Sequence, residues 1–139
     1  MGCDIHVHIE LRYEGKWEHY SAVRVDRWYE LFDRMAGVRG NGPAIVEPKG
    51  IPVDMSVITA LDWERGRSDW HTASWFNEDE IDELSLWLRA VTDDFCIETA
   101  IFNGVFMFGN GLTDHKHYDD SEYLPKGADA VRVVFWFDN

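Results

Sequence analysis

The segment from Cys3 to Arg12 restricts the fold more than any other part of the chain, because its residue types alternate without a break. Cys3, Ile5, Val7, Ile9 and Leu11 interleave with Asp4, His6, His8, Glu10 and Arg12, so a period of two places five apolar residues on one face and five ionisable ones on the other. The apolar face must meet a core. The opposite face carries two histidines between two carboxylates and an arginine, where a solvated strand would more often carry Thr, Lys or Ser, so it is a candidate site as well as a candidate exposed face.

The neighbouring segments supply the core. Glu14-Gly15-Lys16 is turn chemistry, and Trp17 to Val25 returns with aromatic and β-branched residues, which predicts an N-terminal hairpin. Asp26 is placed to cap a helix through Met35, with Tyr29, Leu31, Phe32 and Met35 on its apolar side and Gly37 ending it. Gly37 to Pro52 holds four glycines and three prolines, a long loop suited to binding or to acting as a lid. Ser56 is expected to cap a short helix through about Trp63. Asn77 with Glu80 reads as a capping box, and Ile81, Leu84, Leu88 and Val91 recur at helical spacing, so a helix is predicted from Glu78 to Thr92. Residues 95–108 are apolar and fit either a buried helix or strands. Ala130 to Phe137 is an apolar, β-rich run expected to be central or paired with the first strand. The expected fold is α+β: a small antiparallel sheet, made of the hairpin plus the C-terminal strand, with helices packed on one side and long Gly/Pro-rich loops.

At 139 residues, 45% hydrophobic, with seven Trp, eight Phe and five Tyr, the chain is read as a single domain spanning 1–139 with a core of its own. Thirteen basic against 26 acidic residues argue against general nucleic-acid binding, which requires a basic surface. Two cysteines and no long apolar run predict a cytoplasmic protein without a membrane anchor or disulfide framework.

Chemistry is sought first at His6 and His8, whose Cα atoms lie about 6.5 to 7 Å apart on a strand. A metal would need Asp4, Glu10, His71 or the His115 and His117 pair to converge on them, and no third ligand follows from spacing, so no metal and no cofactor are expected. The same histidines, with His71 as an alternative partner and Asp4 as orienting group, fit general acid–base work on a phosphodiester. Arg24, Arg27 and Arg39 are guanidinium candidates for phosphate, whereas Tyr29, Trp70, Trp75 and the polar His71 and Ser74 beside them suit a stacked base or an aromatic core edge. Standard phosphate-loop, dinucleotide and nucleophile-elbow motifs are absent from the sequence.

Several stretches also resemble a family of small phage and prophage hypothetical proteins. These are Met1-Gly2-Cys3-Asp4-Ile5-His6, Asp26-Arg27-Trp28-Tyr29-Glu30-Leu31-Phe32 leading into Ala36-Gly37-Val38-Arg39, Gly50-Ile51-Pro52, His71-Thr72-Ala73-Ser74-Trp75 and Val134-Phe135-Trp136-Phe137-Asp138-Asn139. The resemblance implies a phage accessory protein of the bacterial cytoplasm and, by context, a link to nucleotide-signalled defence. The leading expectation is a non-enzymatic module that sequesters an anionic nucleotide signal, a cyclic dinucleotide or ADP-ribose-type messenger. Its ligand residues are expected among His6, His8, Arg27, Tyr29, Arg39, Trp70, His71, Ser74 and Trp75. The alternatives are a cyclic-nucleotide phosphodiesterase using His6, His8 or His71 with Asp4, and an acidic protein-interaction or DNA-mimic protein. Sequence leaves monomer and homo-oligomer open.

Overall fold

The computed structural model describes residues 2–91 and 127–139. The ambiguous 95–108 stretch, and His115 and His117, lie outside the described residues. Four strands, β1 (Asp4–Tyr13), β2 (Lys16–Val23), β3 (Trp70–Phe76) and β4 (Ala130–Asp138), form one antiparallel sheet in the order β2-β1-β4-β3. Three helices, α1 (Tyr29–Ala36), α2 (Val57–Gly66) and α3 (Glu78–Val91), complete the α+β architecture expected from the sequence. No helix among the described residues is long and apolar enough to cross a membrane.

The hairpin turns on Glu14 and Gly15, both at positive φ (49° and 81°), the backbone that matches the twist of two-residue hairpins. Its register continues until Tyr20 is bulged out, so His19 sits opposite Glu10 while Ser21 and Ala22 sit opposite Ile9 and His8. On the other side of β1, β4 pairs without interruption from Asp4↔Asp138 to Arg12↔Ala130. That pairing places Val131, Val133, Phe135 and Phe137 on the apolar face, and Arg132, Val134, Trp136 and Asp138 on the ionisable face.

On the apolar face, Ile5, Val7, Ile9 and Leu11 meet Leu31, Phe32 and Met35 of α1 and Ile81, Leu84 and Leu88 of α3, all buried. Each such side chain contributes roughly 1.5–3 kcal/mol on burial. The helix ends follow local chemistry in part. Gly37, at φ 73°, closes α1 with its N–H on the Asp33 carbonyl and the following Val38 N–H on that of Phe32, and the Ser56 side chain accepts from the Thr59 N–H at the start of α2. Asn77 and Glu80 exchange side-chain-to-backbone bonds of 2.9 and 3.0 Å as a capping box. Asp26 does not cap α1. Trp28 is extended at the N-cap, the helix starts at Tyr29 with no side-chain cap, and the preceding Arg27 turns to Asp4.

The expectation of helices on one side holds for α1 and α3. The third helix, α2, lies against the ionisable face and contributes a polar stripe to it: Ser56, Thr59 and Asp62 point to the sheet. Of its apolar residues, Trp63 packs edge-on against Trp136, whereas Val57, Ile58 and Leu61 are 74%, 55% and 65% exposed, contrary to ordinary amphipathic packing. The Gly/Pro loop folds onto the body. The Ile45 N–H reaches the Arg34 carbonyl, the Gly50 N–H reaches Ala73, and the Lys49 N–H reaches the Ser74 hydroxyl at the bulge of β3.

Candidate functional site

The ionisable face of β1 divides into a buried anchor and an open cavity. At the anchor, Glu10 is fully buried and receives Arg132 of β4 through two guanidinium nitrogens, at 2.8 and 2.7 Å. Its second oxygen accepts the Ser56 N–H at 2.8 Å, at the start of α2. Arg132 also donates to the Asp54 carboxylate and carbonyl, and its guanidinium lies 4.1 Å from the Trp17 ring centroid and 5.9 Å from that of Trp75. A charged pair this deeply buried must have its hydrogen bonds satisfied, and here the partners come from β4 and from the Asp54–Ser56 segment that leads into α2. The anchor therefore fixes where α2 begins, and that position decides where Asp62 stands two turns later.

Toward the other end of the strand, the face opens into a cavity of about 740 Å³ lined by Asp4, His6, His8, Arg24, Asp26, Arg27, Asp62 and Asp138 among others. Each histidine has its own carboxylate. His6 Nε2 is 2.5 Å from Asp138 Oδ2, and His8 Nε2 is 2.7 Å from Asp62 Oδ2. An ionised carboxylate only accepts, so both rings carry a proton on Nε2 and donate it. Arg27 donates to both oxygens of Asp4, at 2.7 and 3.2 Å, and this hydrogen-bonded guanidinium holds the Asp4 carboxyl below its usual range. The same bond raises Arg27. Behind the histidines lies Trp136, fully buried, with ring centroids 6.1 Å from His6 and 5.1 Å from His8. Trp70 packs on His6 at 4.4 Å and gives its indole N–H to the Trp63 carbonyl at 2.7 Å.

The two histidines differ in how many of their nitrogens are engaged. His8 is 5% exposed, and its second nitrogen, Nδ1, lies 3.0 Å from His19 Nε2. His6 is half-buried and is held through Nε2 alone among the described contacts. Burial first, and the neighbouring His8 second, lower the pKa of His19. Among the described residues, no group of three or more His, Cys, Asp or Glu side chains is placed to hold a metal.

The residues expected to bind ligand are not all gathered here. His6, His8 and Arg27 line the cavity, with Asp4 beside them, and Trp70 touches it through His6. Tyr29 and Arg39 form a separate group around Cys3, which belongs to the apolar face: the Tyr29 hydroxyl accepts the Cys3 N–H, and Arg39 lies over the Tyr29 ring at 5.2 Å. Burial raises the Cys3 thiol pKa, against the lowering effect of Arg39. His71 stacks on Phe137, on the apolar side of the sheet, at 6.0 Å. Ser74 is buried under Lys49, and Trp75 lines a different groove, with Trp17, Pro52 and Arg132. The register shift between His71 and Ser74 adds a residue to β3 there, so sequence proximity in this segment does not mean a shared face.

Asp62, Asp138 and His19 complete the site and were not singled out from the sequence. His19 was within reach, since a two-residue Glu14-Gly15 turn by itself sets it opposite Glu10. Asp138 follows once β4 is paired antiparallel to β1. Asp62 carried no local signal, because nothing in the sequence of α2 says that its polar stripe faces inward. No protein-family model, curated protein or solved structure matches the chain.

Proposed function

We propose that the protein is a binding module that captures a small ribonucleotide carrying a phosphodiester, of the cyclic dinucleotide or ADP-ribose type, in the cavity of His6, His8 and Arg27. The observation that carries this reading is that one cavity is lined by guanidinium donors, Arg24 and Arg27, by carboxylate acceptors, Asp62 and Asp138, and by the imidazoles of His6 and His8. Guanidinium groups suit a phosphate oxygen and carboxylates suit sugar hydroxyls. Four aspartates against two arginines also limit the charge that is tolerated. A diester, with one charge per phosphate, fits better than a terminal phosphate with nearly two. In the phage setting implied by the family resemblance, such capture would withdraw a defence signal from its host receptor.

Capture is preferred over cleavage because general acid–base hydrolysis needs two groups free to exchange protons with substrate. Both ring nitrogens of His8 are engaged, by Asp62 and His19, which leaves His6 as the ring able to present a nitrogen. The phosphodiesterase reading retains one supporting observation, the carboxylate-oriented, half-buried His6 ring.

The test is to incubate the protein with cyclic dinucleotides and cyclic ADP-ribose isomers, remove free ligand, denature the protein and identify what is released. Stoichiometric intact nucleotide is the expected result, with affinity falling about 10- to 100-fold in folded His6→Ala or Arg27→Ala variants, the worth of one charge-assisted hydrogen bond. Linear product that accumulates with time replaces capture by hydrolysis. Neither retention nor turnover across the panel overturns both readings and leaves the acidic interaction protein.

A further inference from the structure

We propose that Asp62, His8 and His19 form a one-proton relay, which takes up a proton at His19 in a small cleft on one side of α2 and delivers its charge to His8 on the wall of the large cavity. The inference does not rest on the ligand reading.

The geometry begins with two cavities that share a wall. His8, Ala22 and Asp62 line the large cavity, and they also line a second one, of about 440 Å³, with His19, Ile58, Leu61 and Arg65. His8 is buried between the two, and the half-buried His19 ring belongs to the second alone. The bonds run in one line: Asp62 Oδ2 to His8 Nε2 at 2.7 Å, then His8 Nδ1 to His19 Nε2 at 3.0 Å.

Hydrogen positions follow from the partners. Asp62 accepts, so His8 Nε2 carries hydrogen. In the neutral pair His8 Nδ1 is then a lone pair, and it must accept the hydrogen on His19 Nε2. A hydronium ion or buffer acid can add a proton to the remaining nitrogen, His19 Nδ1. The hydrogen between the rings then moves from His19 Nε2 to His8 Nδ1, which gives a His8 imidazolium and a neutral His19 protonated on Nδ1. One N–H bond forms at the cleft, one is exchanged between the rings, and the single positive charge ends beside Asp62.

The surrounding charges favour that end point. Asp62 of α2 touches His8 directly, although its other oxygen is shared with Arg65. Glu10, the other carboxylate on this stretch of β1, is committed to Arg132 of β4. Farther along β1, His6 keeps Asp138 of β4 as its own partner. A second proton would put hydrogens on both facing nitrogens 3.0 Å apart, so the pair accepts one proton and must break contact to accept two.

The test is long-range proton–nitrogen NMR on the full chain with labelled histidine, followed from about pH 8 to about pH 5, the range in which histidine changes charge. The expected result is a nitrogen–nitrogen coupling between His8 Nδ1 and His19 Nε2 that survives the first protonation, with the first charge appearing on His8. In Asp62→Asn, which removes the opposite charge beside His8, the first charge should stay on His19. Absence of the coupling, first charging of His19 in the unmodified protein, or independent ordinary midpoints for the two rings would overturn the relay. The unmodified protein decides this even if the variant does not fold.

Discussion

The two faces of β1 are built from the same ten-residue strand and are held by different physics. On the apolar face, Ile5, Val7, Ile9 and Leu11 gain from any close-packed hydrocarbon, and α1 and α3 supply it without directional demands. On the ionisable face each residue has named partners: Asp4 with Arg27, His6 with Asp138, His8 with Asp62 and His19, Glu10 with Arg132 and Ser56, and Arg12 with Asp129. Apolar burial tolerates substitution in proportion to volume. The buried pairs of the other face, Glu10–Arg132 and His8–Asp62, do not, because removing one member leaves its partner buried and unsatisfied. The face organised by directional bonds is also the one that keeps the open cavity proposed as the binding site.

The most severe way to break this comparison is Arg132→Met. Glu10 would be left as an unpaired buried charge, and a loss of about 3–5 kcal/mol in denaturant unfolding is expected. That equals the roughly 3–5 kcal/mol for Phe135→Ala on the apolar side. Replacing both partners, Glu10→Leu with Arg132→Met, should recover much of the deficit, whereas no second substitution of comparable simplicity fills the Phe135 cavity. If the double variant is as unstable as the single, the anchor is worth more as a network than an unpaired-charge argument allows.

A smaller effect is expected from Asp62→Ala, about 1–3 kcal/mol, since His8 and Arg65 each lose an acceptor. On the other face of the strand, Ile9→Val should cost about 0.5–1.5 kcal/mol. A cost for Asp62→Ala below that of Ile9→Val would show that α2 is held by its anchor alone.

Acid titration sharpens the contrast further. His19 binds its proton less readily when folded than when unfolded. The unfolded chain therefore holds more protons in the window below the ordinary histidine value, and stability rises with pH there. Stability should fall as pH drops from about 6.5, the free histidine value, through the depressed folded value. His19→Gln should flatten that slope, and an unchanged slope would assign it to other groups. The smallest effect belongs to Asp4. Its carboxyl is lowered by Arg27, so its contribution is complete above the ordinary aspartate value of 3.8 and is lost as pH falls through the folded value. The pair is about half exposed on both sides, so added salt should remove the difference between the protein and Asp4→Asn.

The sequence alone determined the strand with two chemistries, the tight hairpin, the capped ends of α2 and α3, the Gly37 stop and the apolar β4. Each is written in contiguous residues through a period of two or 3.6, or through a side chain that satisfies its neighbours' backbone groups. The period of two also put His6 and His8 on the face that carries the cavity. Only the tertiary structure decided that α2 turns its polar stripe inward. Ser56 and Asp62 face the sheet because Glu10 and His8, residues distant in sequence, offer buried groups that need partners, and the cost of leaving those unmet outweighs the exposure of Val57, Ile58 and Leu61. It likewise parted Tyr29, Arg39, His71, Ser74 and Trp75 from the cavity, because a helix rotation and a strand bulge choose faces that local pattern does not specify. Periodicity reports which residues share a face of one element; which element that face meets is set by the pairing of buried polar groups across the whole chain.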